Sequence, residues 1–272
     1  MRFRTVLLTC VLGLAAWSVL HAQKPFREWP ALEYGDFPVP PDANTPHEWT
    51  RARLRYPDIT GYPGRAFGGF GFPGYWTMDY PRADRHVLTG VRRLTRLDAR
   101  SVEQVVSLDG TDEIFNWPML YGVEVGYWNL PLEQAKQLRE FLMRGGFMMV
   151  DDFHGSREWA NFVESLERVF PDQQWVDIPE SDPIFHTLYD LNDRVQIPGE
   201  QFLGTGRTYE RDGYQPRWRA IYDDKGRILF AICHNMDMGD AIEHSDEPRY
   251  PEKMSSLAYR VNMNYFVYGL TH

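Results

Sequence analysis

The densest chemistry in this chain is carried by two short polar runs. The first is Asp151-Asp152-Phe153-His154-Gly155 and the second is His234-Asn235-Met236-Asp237-Met238-Gly239-Asp240, with Glu243, His244, Asp246 and Glu247 close behind. Carboxylates beside an imidazole can hold a divalent metal or move a proton. Asp152 and His154 are therefore the candidate catalytic pair. Asp151, Asn235, Asp237 and Asp240 are candidate ligand-binding groups, joined by Tyr127 and Trp128 as aromatic walls. Asn264, a mediocre helix former inside a helical stretch, is expected to hydrogen-bond to a loop at the same end of the fold. The second run lacks the alternating acids and closing glutamate of a calcium loop, and no His-Glu-x-x-His pattern exists, so spacing alone assigns no metal ligands and no cofactor.

Each run has a plainer reading beside its functional one. Adjacent residues at a strand end point to opposite sides, so Asp151 and Asp152 do not easily share a ligand, and one of them is expected to cap the following helix. Glu243, Asp246 and Glu247 fit a solvated acidic loop. Tyr121, Tyr127 and Trp128 could wall a pocket, with core packing expected for at least one. Arg51, Arg53 and Arg55 form one basic face of a strand, expected to pair with acids on the protein's own surface.

Both runs follow apolar segments of strand length. Gly145-Gly146 feeds Phe147 to Val150, a run suited to a strand buried on both faces, and Arg227 to Cys233 leads into His234. Ligands of open α/β sheets sit outside the carboxyl ends of such strands. Further strands are expected at Trp49–Tyr56, Val102–Leu108, Met119–Val125, Trp175–Ile178 and Trp218–Tyr222, the last pairing with Arg227–Cys233 as a hairpin. Helices are expected from Pro81, from Pro131, from Gly155 to about Phe170, and over Lys253–Leu270, with an irregular helical turn over Asp182–Leu191. Arg194–Tyr214 and Asn235–Arg249 read as loops, as does the glycine-rich stretch Gly61–Gly74, placed over the crest of the sheet. Alternating strand and helix predict a three-layer α/β domain, with a mainly parallel sheet, helices on both faces and an antiparallel edge hairpin.

Residues 1–22 read as a secretory signal, with Arg2 and Arg4 before an apolar stretch that ends at Leu20-His21-Ala22. A proline- and aromatic-rich arm follows over 23–48, then the α/β domain over 49–272. Export to the periplasm or beyond is the expected localisation, with no stable membrane span after cleavage. The chain carries 29 Lys and Arg against 38 Asp and Glu, a formal net charge of −9, so nucleic acid is an unfavourable partner. Cys10 lies in the signal, which leaves Cys233 without an intrachain disulfide partner.

The order of Arg51-Ala52-Arg53-Leu54-Arg55-Tyr56, Leu94-Thr95-Arg96-Leu97, Gly145-Gly146-Phe147 through Asp151-Asp152, Val169-Phe170-Pro171, Asp182-Pro183-Ile184-Phe185 and Tyr259-Arg260-Val261-Asn262-Met263-Asn264 resembles the domain of unknown function family 4159. The resemblance runs from about Trp49 to the carboxyl terminus. It implies a class I glutamine amidotransferase-like fold, hence a flavodoxin-like sheet, and no assigned activity. Amidotransferases place a cysteine after the strand that follows the Gly-Gly pair; this chain places Asp152, Phe153 and His154 there. Cys233 falls on another strand, Ser156 reads as a helix-start residue, and no Gly-x-Ser-x-Gly pattern exists. Thiol or serine acyl transfer is therefore not expected. Three readings follow: a domain binding a small molecule or partner at the crest, a hydrolase using Asp152 and His154 with or without a metal, and an envelope protein-interaction module.

Overall fold

The computed structural model describes residues 25–30, 38–59 and 73–272. The signal at 1–22 and nearly all of the glycine-rich stretch lie outside the described residues. Seven strands form one sheet in the order β2-β1-β3-β4-β7-β6-β5. They are β1 (Ala52–Arg55), β2 (Gln104–Ser107), β3 (Met119–Val123), β4 (Phe147–Asp151), β5 (Val176–Asp177), β6 (Arg217–Tyr222) and β7 (Ile228–His234). The first five in spatial order are parallel, and β6 and β5 extend the edge with antiparallel pairing. The parallel part follows the 2-1-3-4-5 order of flavodoxin-like sheets.

Among the described residues six α-helices complete the domain: α1 (Arg82–Leu94), α2 (Leu132–Met143), α3 (Gly155–Val169), α4 (Gln201–Thr205), α5 (Met238–Glu243) and α6 (Glu252–Thr271). Two cores sandwich the sheet. Phe147 and Met149 of β4 pack with α1, α5 and α6 on one face, while Met148 and Val150 pack with α2 and α3 on the other. This alternation is the period of a strand covered on both sides. In α3, Phe162, Leu166 and Val169 repeat at helical spacing and are all buried. The result is the three-layer α/β fold, with an antiparallel edge. Among the described residues no helix is long and apolar enough to cross a membrane.

Three expectations need correction. Arg194–Tyr214 is not loop throughout: it holds α4, a short turn of helix that Gly206, at φ 67°, closes by donating to the Phe202 carbonyl at 2.8 Å. The stretch after β7 contains α5 and a 3-10 turn at His244–Asp246 rather than loop throughout, because Asp237 caps α5 by accepting from the backbone N–H of Asp240 at 2.8 Å. Arg51 and Arg53 are buried rather than paired on the surface. Alternation identifies a strand's two faces, but both faces of this sheet are covered, so neither meets solvent. Arg53 donates to Asp84 at 2.7 Å and to the carbonyls of Trp76 and Met78 at 3.0 and 2.9 Å, while Arg51 pairs with the other oxygen of Asp84 at 2.8 Å.

Candidate functional site

The carboxyl ends of β3, β4 and β7 meet at one crest, and the backbone there is strained. Glu124, Asp152 and Asn235 each directly follow one of these strands and take φ of 49°, 53° and 64°. Asp79, in the turn before α1, has φ 57°. Non-glycine residues in the left-handed region cost on the order of 1–3 kcal/mol each and persist where their surroundings hold them, often at functional sites. Here the strands hold them. The Glu124 N–H donates to the Asp151 carbonyl, that of Asp152 to Met236 and that of Asn235 to Phe153, at 2.8–3.2 Å.

These turns bring together Asp79, Asp152 and Asp237, which are 1, 6 and 3% exposed. One carboxylate oxygen from each lies within 4.8 Å of the other two. The surroundings are cut to admit them. A Cβ on Gly239 would collide with Asp79 Oδ2, and one on Gly199 with the Asp237 and Asp240 carboxylates. Asp151 faces the other way: it accepts from the Met238 N–H at 2.8 Å and so clamps the turn that carries Asp237.

Acids dominate the electrostatics of this site. Burial, then the charges of Glu124, Asp79, Asp240 and Glu210, push the Asp152 carboxyl well above the usual range. Burial, then Asp152, Asp240 and Asp79, do the same to Asp237. Burial pushes Glu124 up to about 8, against the opposing effect of Arg211, and its Oε2 is buried with no hydrogen-bond partner. At an effective dielectric of about 20, two ionised oxygens at the 4.8 Å limit repel by on the order of 3 kcal/mol. His154 is not the missing counter-charge. Its Nε2 is 3.2 Å from Asp152 Oδ1, but burial, with Arg211 and His234, lowers its pKa to about 3. The contact is a hydrogen bond to a neutral imidazole.

The amides that open α3, from His154 to Ser156, are already taken by side chains. The N–H of His154 donates to Glu158, that of Gly155 to Asn235 Oδ1 at 2.8 Å and that of Ser156 to Asp212 Oδ1 at 2.8 Å. The Ser156 hydroxyl donates to the same carboxylate at 2.6 Å. Helix α3 is thus capped by Asp212 and Glu158, and neither Asp151 nor Asp152 performs that task. Cys233 is buried in β7, and burial pushes its thiol well above the usual range.

Of the residues singled out from the sequence, Asp152, His154 and Asp237 come together, and Asp240 borders them with its carboxylate accepting from the Glu200 N–H. Asn235 shapes the crest through Gly155 and through Gln215, whose carbonyl accepts from its amide at 2.8 Å. Tyr127 stands at the rim, stacked on Tyr75 with centroids 3.9 Å apart. Two candidates lie elsewhere. Trp128 is fully buried against Phe162, its indole N–H on the Phe162 carbonyl, so it belongs to the core. Asn264 spends its side-chain amide on the 184–189 segment, accepting from Leu188 and Tyr189 and donating to Ile184 and Tyr189. That segment follows Asp182, which meets Tyr222 beside the start of β7, away from the crest. Asp79, Glu124, Glu210 and Arg211 were not anticipated. Glu124 meets the rule that found Asp152, an acid at the end of an apolar strand, only once β3 is ended at Val123. A second donor group, Asp240, Glu243 and His244, lies next to the first.

A family model described as a domain of unknown function (DUF4159) matches residues 64–270. A search of curated proteins finds no match. With most of its length under that model, the chain belongs to the DUF4159 family.

Proposed function

We propose that this DUF4159 domain is an exported α/β domain of amidotransferase-like fold whose crest binds a hard divalent cation where related folds hold a reactive thiol. One observation carries the reading: oxygens of Asp79, Asp152 and Asp237, all buried, lie within 4.8 Å of one another. Oxygen–cation bonds of about 2.1–2.5 Å allow one ion to touch donors separated by up to roughly twice that length. A divalent cation neutralises carboxylates that otherwise take up protons. All-oxygen donors favour Mg2+, Ca2+ or Mn2+ over softer ions. The amidotransferase-like assignment is supported by Asp152 itself, a left-handed residue in the turn between β4 and α3, where a nucleophile elbow would stand. Export rests on the leader sequence alone.

Calorimetric titration of chelator-treated protein with each of the three ions tests the binding. The expected result is one ion per chain for the wild type and none for Asp152→Asn or Asp237→Asn. Unchanged binding in both variants would overturn the reading.

A hydrolase is the second reading, favoured by the 3.2 Å contact between His154 and Asp152. A neutral imidazole at that position can accept a proton from an attacking water. It predicts that His154→Gln binds the cation normally and loses hydrolytic turnover, read by screening ester and phosphoester substrates with both proteins.

A further inference from the structure

A strap of three consecutive charged residues, Glu210-Arg211-Asp212, crosses the rim of the crest. Asp212 ties it to Ser156. Gln196, donating to the Gly213 carbonyl at 2.7 Å, and Asn235, donating to that of Gln215, tie it on the far side. Thr208, donating to Gln196 Oε1 at 3.0 Å, holds the near side, and between it and Asp212 Arg211 adopts φ 50°, a costly conformation for a long side chain. Its guanidinium makes an ion pair with Glu158 through Nη1 and donates through Nη2 to the Tyr127 hydroxyl at 2.7 Å. Tyr127 in turn stacks on Tyr75 at an interplanar angle of 5°. The Arg211 side chain remains 42% exposed.

Were Arg211 present only to neutralise the acids below it, its ion pair would be with Glu124 or Asp152. It is with Oε1 of the buried Glu158, whose other oxygen accepts from the helix amide of His154. The head group is therefore held at the rim, against an aromatic wall, with N–H groups left for solvent or ligand. Its field still reaches inward, lowering the proton affinity of both Glu124 and His154. Without a cation, the acid floor repels any anion approaching this guanidinium. With one, the rim offers a Lewis acid and a planar multi-donor fork on the same side of the crest, the pairing suited to phosphate and carboxylate oxygens.

We infer that Arg211 is the specificity-determining residue of this site: an oxyanion of the ligand, phosphate or carboxylate, bridges the bound cation and the Arg211 guanidinium, with Tyr75 and Tyr127 flanking the group attached to it. The inference rests on the cation-binding reading above and names the ligand class that reading leaves open.

The test has two stages, each with its own readout. Mg2+ is first titrated into wild type, Arg211→Gln and Arg211→Lys, with equal affinity expected in all three, which also shows that the strap variants keep the crest intact. Orthophosphate and, separately, acetate are then titrated into the Mg2+-saturated proteins. Loss of a charge-assisted fork predicts phosphate affinity weaker by roughly tenfold or more in Arg211→Gln, and a smaller loss in Arg211→Lys. The stronger of the two probes identifies the oxyanion. Equal phosphate and acetate affinities in wild type and Arg211→Gln would overturn the inference, as would no binding of either probe to Mg2+-loaded wild type, or equally tight binding to cation-free protein. Failure of Mg2+ here, and of Ca2+ and Mn2+ in the same titration, to bind the wild type would remove the cation reading itself, and the inference with it.

Discussion

Two clusters of buried charge lie a few residues apart in this molecule, and they are built on opposite terms. Beneath α1, Arg51 and Arg53 share the two oxygens of Asp84, Arg85 meets Glu103 at 3.3 Å, and Arg51 also donates to Asn262 at 3.0 Å. Tyr121 adds its ring under Arg51 at 3.8 Å. Cations and anions interleave, three arginines against two carboxylates. At the crest, among the described residues, Asp79, Asp152 and Asp237 face one another with Glu124, Glu210 and Asp240 around them and a neutral imidazole beside them, while Arg53, which acts on Asp79, and Arg211, which acts on Glu124, are paired with Asp84 and Glu158. A buried network of opposite charges specifies geometry, and breaking it is destructive. One dominated by acids is stabilised when protons or a cation complete it. The two are also joined: Arg53 holds the carbonyls of Trp76 and Met78, the residues that lead into Asp79. The paired cluster positions one member of the acid cluster.

The largest effect should come from breaking the paired side. Arg53→Ala leaves Asp84 in the core with Arg51 alone and releases two carbonyls, so a loss of about 3–5 kcal/mol is expected in urea denaturation. A loss under about 1 kcal/mol would mean that this network is not structural.

The acid-rich side should show itself in pH dependence. Glu124, at about 8, and Asp151, raised mainly by burial to about 6, hold protons more tightly folded than unfolded. Above the ordinary carboxylate range the folded chain therefore binds more protons than the unfolded one, and unfolding free energy falls as pH rises through 6 toward 8. Denaturation midpoints of the cation-free protein should drop from about pH 5 to 8. With a saturating divalent ion, which needs deprotonated ligands, the trend should weaken or reverse. A flat profile in both conditions would contradict the charge imbalance.

The smallest effect separates two neighbours in sequence. Asp151→Asn retains an oxygen for the Met238 N–H, so a stability change within about 1 kcal/mol and an intact response to cation are expected. Asp152→Asn, one residue on, should abolish that response. Similar cation responses in the two variants, by calorimetry, would show that the division of labour is wrong.

The strand ends were legible because run length and a following polar cluster are local signals. That is why Asp152, His154 and Asp237 were identifiable without coordinates. Asp79 was not: it enters through a left-handed turn after Thr77-Met78, in a stretch without periodicity, and its approach to Asp237 depends on glycines far along the chain. Glu124 was hidden inside a strand read two residues too long, since β3 ends at Val123. Trp128 and Asn264 carried residue types suited to binding, but composition does not distinguish an indole N–H aimed at a ligand from one aimed at the Phe162 carbonyl. The fold was clearer than the site because hydrophobic period repeats along whole elements, whereas a site is made by a few turns.

The most direct test of a cation centre at the crest is thermal unfolding at neutral pH, with and without saturating Mg2+, Ca2+ or Mn2+, for wild type and Asp152→Asn. Asn tolerates the left-handed conformation and removes one repelling charge, so the variant should melt above the wild type when no ion is present. A saturating ion at about a hundred times its dissociation constant should raise the wild type by roughly 5–10 °C and leave the variant unmoved, so that the order of the two midpoints crosses. Equal shifts in both proteins, or no shift in either, would contradict the account.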